Sequence, residues 1–185
     1  MEQTIEKRMK ESISDKDFQR FLGKNVKNKI YVYADLEHYS FNKLLPKKLD
    51  YVIILIEDKI NHGHWVCLTK DSYNKIVTWF DSYGIKPAGE LKWVSAKQNA
   101  KLDNQPYDIL NILHEAIKQG YTVLYNKKRF QKSDPNVNCC GRHVIFYLLN
   151  FLKNNMNLPE YIEKMESLEK QYKTDSDHLV TQFII

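Results

Sequence analysis

Apolar and polar positions along this chain alternate with two periods, and the change of period marks out the elements. Residues 29–36 (KIYVYADL), 50–57 (DYVIILIE), 64–70 (HWVCLTK), 75–84 (KIVTWFDSYG) and 121–126 (YTVLYN) are short runs rich in β-branched and aromatic residues. They read as strands, the second apolar enough to be central. In 105–120 (QPYDILNILHEAIKQG) the period lengthens, so that Ile109, Ile112, Leu113 and Ala116 share one helical face and Gly120 closes the element. Residues 141–155 (GRHVIFYLLNFLKNN) form a helix apolar on nearly all sides, which belongs in a core. A short helix over 14–23 starts at the N-cap Ser14 and stops at Gly23. A charged amphipathic helix occupies 158–173, and the tail 176–185 ends in apolar residues that dock as a helix or strand. Residues 85–104 show no pattern. The sum is an α+β fold, a mixed and mostly antiparallel sheet packed between helices, in a single domain spanning 1–185.

Composition narrows the class. Apolar residues make up 43% and aromatics 12%, as in a globular chain. No apolar run approaches the roughly 18 residues of a membrane span, so a soluble protein with no membrane partner is expected. The first residues, MEQTIEKRMKESISDKDF, lack the apolar stretch of a signal peptide. Three cysteines, an odd number, suit a reducing compartment and free thiols. The net charge of +5 reads first as an ordinary basic, solvated surface, and it permits weak contact with nucleic acid without establishing it.

The strands 64–70 and 75–84 flank the turn-rich DSYN. A turn centred between Ser72 and Tyr73 would set Lys70 opposite Lys75, Leu68 opposite Val77, Val66 opposite Trp79 and His64 opposite Asp81. Opposed side chains start about 5 Å apart, close enough for an imidazole and a carboxylate to bond. A carboxylate there would fix the histidine tautomer and stabilise the imidazolium. Cys67 points to the other face and reads as a small core hydrophobe, and His62 is the spare histidine.

A second chemical signal is NVNCCGRH at 136–143. Cys140 opens the apolar helix, where unpaired N–H groups and the positive end of the macrodipole favour thiolate. It therefore suits a nucleophile whose own backbone N–H could bind an oxyanion, and Gly141 lets another chain approach closely. Cys139 should point elsewhere, and no disulfide is expected between the two. Gln131 is a neutral donor nine residues upstream, able to supply a second oxyanion contact. A zinc site built from HGH and CC is disfavoured, because adjacent thiols chelate one tetrahedral ion poorly. The run Lys127, Lys128, Arg129 and Lys132 is solvated surface or a guide for an acidic partner.

His, Asp, Gln and then Cys-Gly at a buried helix start, in that chain order, resemble the adenain-like cysteine proteases. That family includes maturation proteases of adenoviruses, large DNA viruses and virophages, and the ubiquitin-like-specific proteases. The matching stretches are GHWVCL around His64, WFDSYG around Asp81, Gln131, and CCGRHVIFYLL around Cys140. The compact length and CGRHV look more like the viral branch. The resemblance implies the nucleophile at the N-terminus of a buried central helix. Cys140 would be nucleophile, His64 general base, Asp81 its orienter and Gln131 an oxyanion donor. Trp65 would wall the substrate cleft, with Gly141 also at the substrate. It further implies a monomeric enzyme without cofactor or metal, cleaving capsid or core precursors after small residues such as glycine. Such an enzyme would work in the virus factory of the host cytoplasm or nucleus and in the virion, with DNA left open as activator or packaging partner. The same chemistry would serve a protease of ubiquitin-like modifiers. The reading from another class is a non-catalytic, basic nucleic-acid-binding or virion-structural protein.

Overall fold

The β-branched and aromatic runs do become strands, and helices follow wherever the apolar period lengthens. The structure is a computed structural model that describes residues 2–185. In chain order it contains α1 (Glu2–Met9), α2 (Asp15–Leu22), β1 (Ile30–Val32), α3 (Phe41–Leu44), β2 (Leu49–Lys59), β3 (His62–Asp71) and β4 (Ile76–Phe80). There follow α4 (Ala96–Lys101), α5 (Pro106–Lys118), β5 (Thr122–Tyr125), α6 (Cys140–Asn154), α7 (Leu158–Tyr172) and α8 (Ser176–Phe183). The chain divides into two compact units: residues 29–81 with 85–127, and residues 1–28 with 82–84 and 128–185.

The first of these holds a five-stranded mixed sheet in the order β1-β2-β3-β4-β5. The long central ladders, β2 with β3 and β3 with β4, are antiparallel, and the short outer pairs are parallel. Parallel neighbours need a crossover. Residues 33–48, including α3, supply one, and the stretch carrying α4 and α5 supplies the other. The apolar face of α5 is the expected one. Ile109, Ile112, Leu113 and Ala116 join a core with Val52, Ile54, Val66, Leu68, Val77 and Trp79.

Three expectations change in this unit. The strand expected over 29–36 ends at Val32, and Tyr33–His38 is a 3-10 helix. Tyr33 and Leu36, three residues apart, both enter the core, and that spacing matches a three-residue turn better than a strand. The stretch 85–104 holds a 3-10 turn (Glu90–Trp93) and α4, whose N-cap Ser95 accepts from the Gln98 N–H at 3.2 Å. No residue of α4 is buried, so it carries no apolar periodicity to read.

The third change is the register of the β3–β4 hairpin. Leu68 pairs with Trp79, Lys70 with Val77 and Asp71 with Ile76, a shift of two residues from the expected pairing. The cause is Asp71, whose carboxylate accepts from Tyr73 N (2.9 Å), Asn74 N (3.1 Å) and Asn74 Nδ2 (2.6 Å). That cage makes a four-residue loop, Ser72 to Lys75, with Lys75 left-handed at φ 55°. A shift of two keeps every side chain on its expected face, whereas a shift of one would have inverted the sheet.

The second unit is helical. Helix α6 is buried from Gly141 to Leu148 and again at Asn150 and Phe151. Tyr161 and Met165 of α7 and Leu179 and Val180 of α8 are also fully buried. Tyr161 meets Tyr147 edge-on at 5.0 Å and Phe130 at 5.7 Å. The segment joining α1 to α2 lies over the start of α6 through its carbonyls. Met9 O accepts from Asn138 N (2.6 Å), Lys10 O from Asn138 Nδ2 (2.8 Å) and Glu11 O from Arg142 Nη1 (2.7 Å).

Candidate active site

The sheet unit assembles a histidine–carboxylate pair at the open end of the hairpin. His64 lies on β3 opposite Ile56 of β2, on the same face as Val66 and Leu68. Pairing between β3 and β4 ends at Cys67 with Phe80, so His64 and Asp81 both lie beyond the last rung. In the observed register they are diagonal rather than opposed. Diagonal neighbours start about 7–8 Å apart, a gap an imidazole spans. His64 Nε2 and Asp81 Oδ1 are 2.6 Å apart, and the Asp81 side chain has no exposed surface. The pairing thus holds although the direct opposition expected for it does not.

A buried carboxylate must have its remaining oxygens satisfied. Asp81 Oδ2 accepts from the Ile85 N–H at 3.3 Å. Its backbone is held by Asn126, fully buried just past β5: Asp81 N donates to Asn126 Oδ1 at 3.0 Å, and Asn126 Nδ2 donates back to Asp81 O. Asn126 escaped the sequence analysis. Its signal is faint, an asparagine directly after a strand, and its role becomes visible only once β5 is known to lie beside β4. His62, the spare, is an exposed side chain bonded to Asp58 at 2.7 Å. Trp65 lies on the opposite face from His64 and is 8% exposed. Cys67 is buried on that face too, and burial pushes its thiol well above the ordinary range.

The helical unit presents the cysteine pair. Cys139 is the N-cap of α6 and Cys140 its first residue. Their environments diverge. Cys139 is fully buried, with its sulfur 3.8 Å from Met9 O and 3.5 Å from Thr181 Oγ1. Burial pushes its thiol up to about 12, although the Thr181 hydroxyl pulls the other way. Cys140 is half-buried, and all three cysteines are free thiols. A β-carbon on Gly141 would stand 2.6 Å from Ile13 Cβ. Gly141 thus permits the close approach of Ile13, in the α1–α2 connection.

Gln131 is 1% exposed and fully engaged. Its Oε1 accepts from Ser82 Oγ (2.8 Å), and its Nε2 donates to Val137 O (3.0 Å) and Tyr83 Oη (3.2 Å). Ser82 O in turn accepts from Phe130 N and Gln131 N at 2.8 and 2.9 Å. The amide thus ties the residues just after Asp81 to the loop that leads into Cys140. Among the described residues no three His, Cys, Asp or Glu side chains converge as metal ligands, and no helix is long and apolar enough to cross a membrane.

No family model matches this sequence. It is 30% identical over 159 residues to the uncharacterized protein V9 of the Sputnik virophage, covering 86% of this chain and 87% of V9. Among solved structures it resembles the ASFV pS273R protease, with a TM-score of 0.52 and 16% identity over 96% of this chain and 68% of that one. The C-terminal Ulp1 protease domain, solved in complex with Smt3, the yeast ortholog of SUMO, aligns at a TM-score of 0.45 and 15% identity over 98% of this chain and 79% of that one. The α+β arrangement with a mixed five-stranded sheet is the fold of the pS273R protease.

Proposed function

We propose that this chain, which belongs to the family of the Sputnik virophage protein V9, is a cysteine endopeptidase that matures viral capsid or core precursors, cutting after small residues such as glycine. The observation that carries the reading is the buried His64–Asp81 pair at 2.6 Å, in a chain with a protease fold and a half-buried cysteine at a helix start. The enzyme is a monomer with a single catalytic domain spanning 1–185. It acts in the virus factory and in the virion, where its substrates assemble.

In this reading Asp81 holds His64 through Nε2, so Nδ1 is the nitrogen that exchanges a proton with the Cys140 thiol. The thiolate adds to the scissile carbonyl, and the carbonyl oxygen becomes an oxyanion. The Cys140 backbone N–H, in the first turn of α6, donates to that oxyanion. Gln131 donates as well, giving up its longer bond to Tyr83 while keeping Val137. The tetrahedral adduct collapses to a thioester as imidazolium protonates the leaving amine. Water, deprotonated by His64, then attacks the thioester and releases the acid and the free thiol.

Purified full-length protein incubated with the capsid and core proteins of its virus should yield new termini after glycine or another small residue, read by mass spectrometry over time. Cys140→Ala should abolish them. Asp81→Ala should slow them by at least about 100-fold, because the imidazole loses its orienter. Cleavage that survives Cys140→Ala would exclude the assignment. Release of a ubiquitin-like modifier with intact capsid proteins would redirect it to the modifier proteases.

A further inference from the structure

The helical unit contains a second histidine–carboxylate pair. Asp177 is the second residue of α8, and neither its side chain nor that of His143 has any exposed surface. Asp177 Oδ1 is 2.9 Å from His143 Nε2, and Asp177 Oδ2 accepts from the Lys132 N–H at 2.9 Å. His143 lies one helical turn beyond Cys140, and its own N–H bonds Cys139 O at 3.0 Å. Lys132 directly follows Gln131. One turn further along α8, Thr181 lies 3.5 Å from the Cys139 sulfur. A single buried carboxylate on the C-terminal helix thus grips both the peptide after Gln131 and the turn after Cys140.

His143 Nδ1 is buried and has no hydrogen-bond partner among the described residues. The ring is therefore held through Nε2, which faces the carboxylate. Burying a carboxylate is unfavourable even when it is well bonded, and an apolar pair of similar volume often stabilises as well. What a carboxylate offers here, and an apolar pair could not, is two acceptors in fixed directions, one for each segment.

We infer that Asp177 is a positioning residue, holding the Gln131–Lys132 peptide and the first turn of α6 in the relative placement that acyl transfer needs. This rests on the reading of Cys140 as nucleophile. Misplacement on the order of 1 Å costs about 100-fold in rate, so loss of the grip should appear in turnover. Neither residue touches substrate.

The test uses full-length protein and a peptide spanning a mapped cleavage site, assayed well below each variant's unfolding midpoint. Wild type must cleave and Cys140→Ala must not. Failure of either overturns the proposed function, whatever Asp177 does. Given both, Asp177→Asn should lower kcat by about 10-fold with KM unchanged, and Asp177→Ala by about 100-fold. His143→Gln, whose amide can still donate to the carboxylate, should keep kcat within about threefold of wild type, while His143→Ala should not. Asp50→Asn serves as the stability control, because that buried carboxylate binds Lys29 and the Lys47 N–H within the sheet unit. It should lower the unfolding midpoint with kcat intact. A wild-type kcat in Asp177→Asn overturns the inference, as does a kcat that falls equally in Asp50→Asn at matched loss of stability. If Asp177→Ala does not fold, Asp177→Asn and the His143 pair decide on the same criteria.

Discussion

A thiol reacts in proportion to its thiolate fraction and its access, and burial acts against Cys139 on both counts. Cys139 is sealed against Met9 and Thr181 with its titration pushed up to about 12, while Cys140 is half-buried at the first position of α6. Iodoacetamide at pH 7.5 should alkylate Cys140 in native protein and reach Cys139 and Cys67 only after denaturation, as read by peptide mapping. Equal labelling of 139 and 140 would show that the pair is not differentiated. The chemical residues His64, Asp81 and Cys140 stood out in the sequence because each sits where an apolar run begins or ends. Asn126 and Asp177 did not, because their partners are 45 and 34 residues away and no local spacing records them.

Elements were legible where their periodicity served a core. Helices α5, α6 and α7 and the runs of β2 to β5 start and stop within a few residues of expectation. The β3–β4 register was not, because it depends on whether Asp71 closes two or four residues, and side-chain capping of that kind leaves the alternation of the strands untouched. Helix α8 offers a prediction of its own. Burial alone would raise the Asp175 carboxylate, but Lys132 at 2.6 Å and the backbone and ring of His178 outweigh it and hold it at about 2. A carboxylate with a depressed folded-state pKa stabilises fully above its unfolded value, near 4, and loses that effect as pH falls toward the folded value. The stability gap between wild type and Asp175→Asn, measured by urea unfolding, should therefore be constant from pH 6 to about 4 and close between about 4 and 2. A gap that persists at pH 2 would assign the effect of Asp175, the N-cap of α8, to something other than its charge.

Across the whole molecule, the +5 charge is less available than the sequence suggests. Of the basic run, Lys128 meets Glu166 and Glu169 at 3.1 and 3.4 Å, Lys132 meets Asp175 at 2.6 Å, and Arg129 lies over the Tyr83 ring at 5.9 Å. These residues stitch the loop before α6 to α7 and α8 and to Tyr83. Replacing Lys128 and Lys132 together by Met should cost about 1 kcal/mol or less per pair, seen as a small drop in the unfolding midpoint. The salt slope of any duplex DNA binding should not change. A slope that falls by about two would instead mean both lysines contact phosphate. The α1–α2 connection was the least legible part of the molecule. It acts through the carbonyls of Met9, Lys10 and Glu11, which every residue type possesses. Its one side-chain signature is Ile13 over Gly141, since a β-carbon there would sit 2.6 Å from Ile13 Cβ. The two positions are therefore yoked in descent. Any homologue that acquires a side chain at the position of Gly141 must reduce its counterpart of Ile13 to glycine or move the α1–α2 connection away in the same lineage, or lose the seat of the Cys140 sulfur.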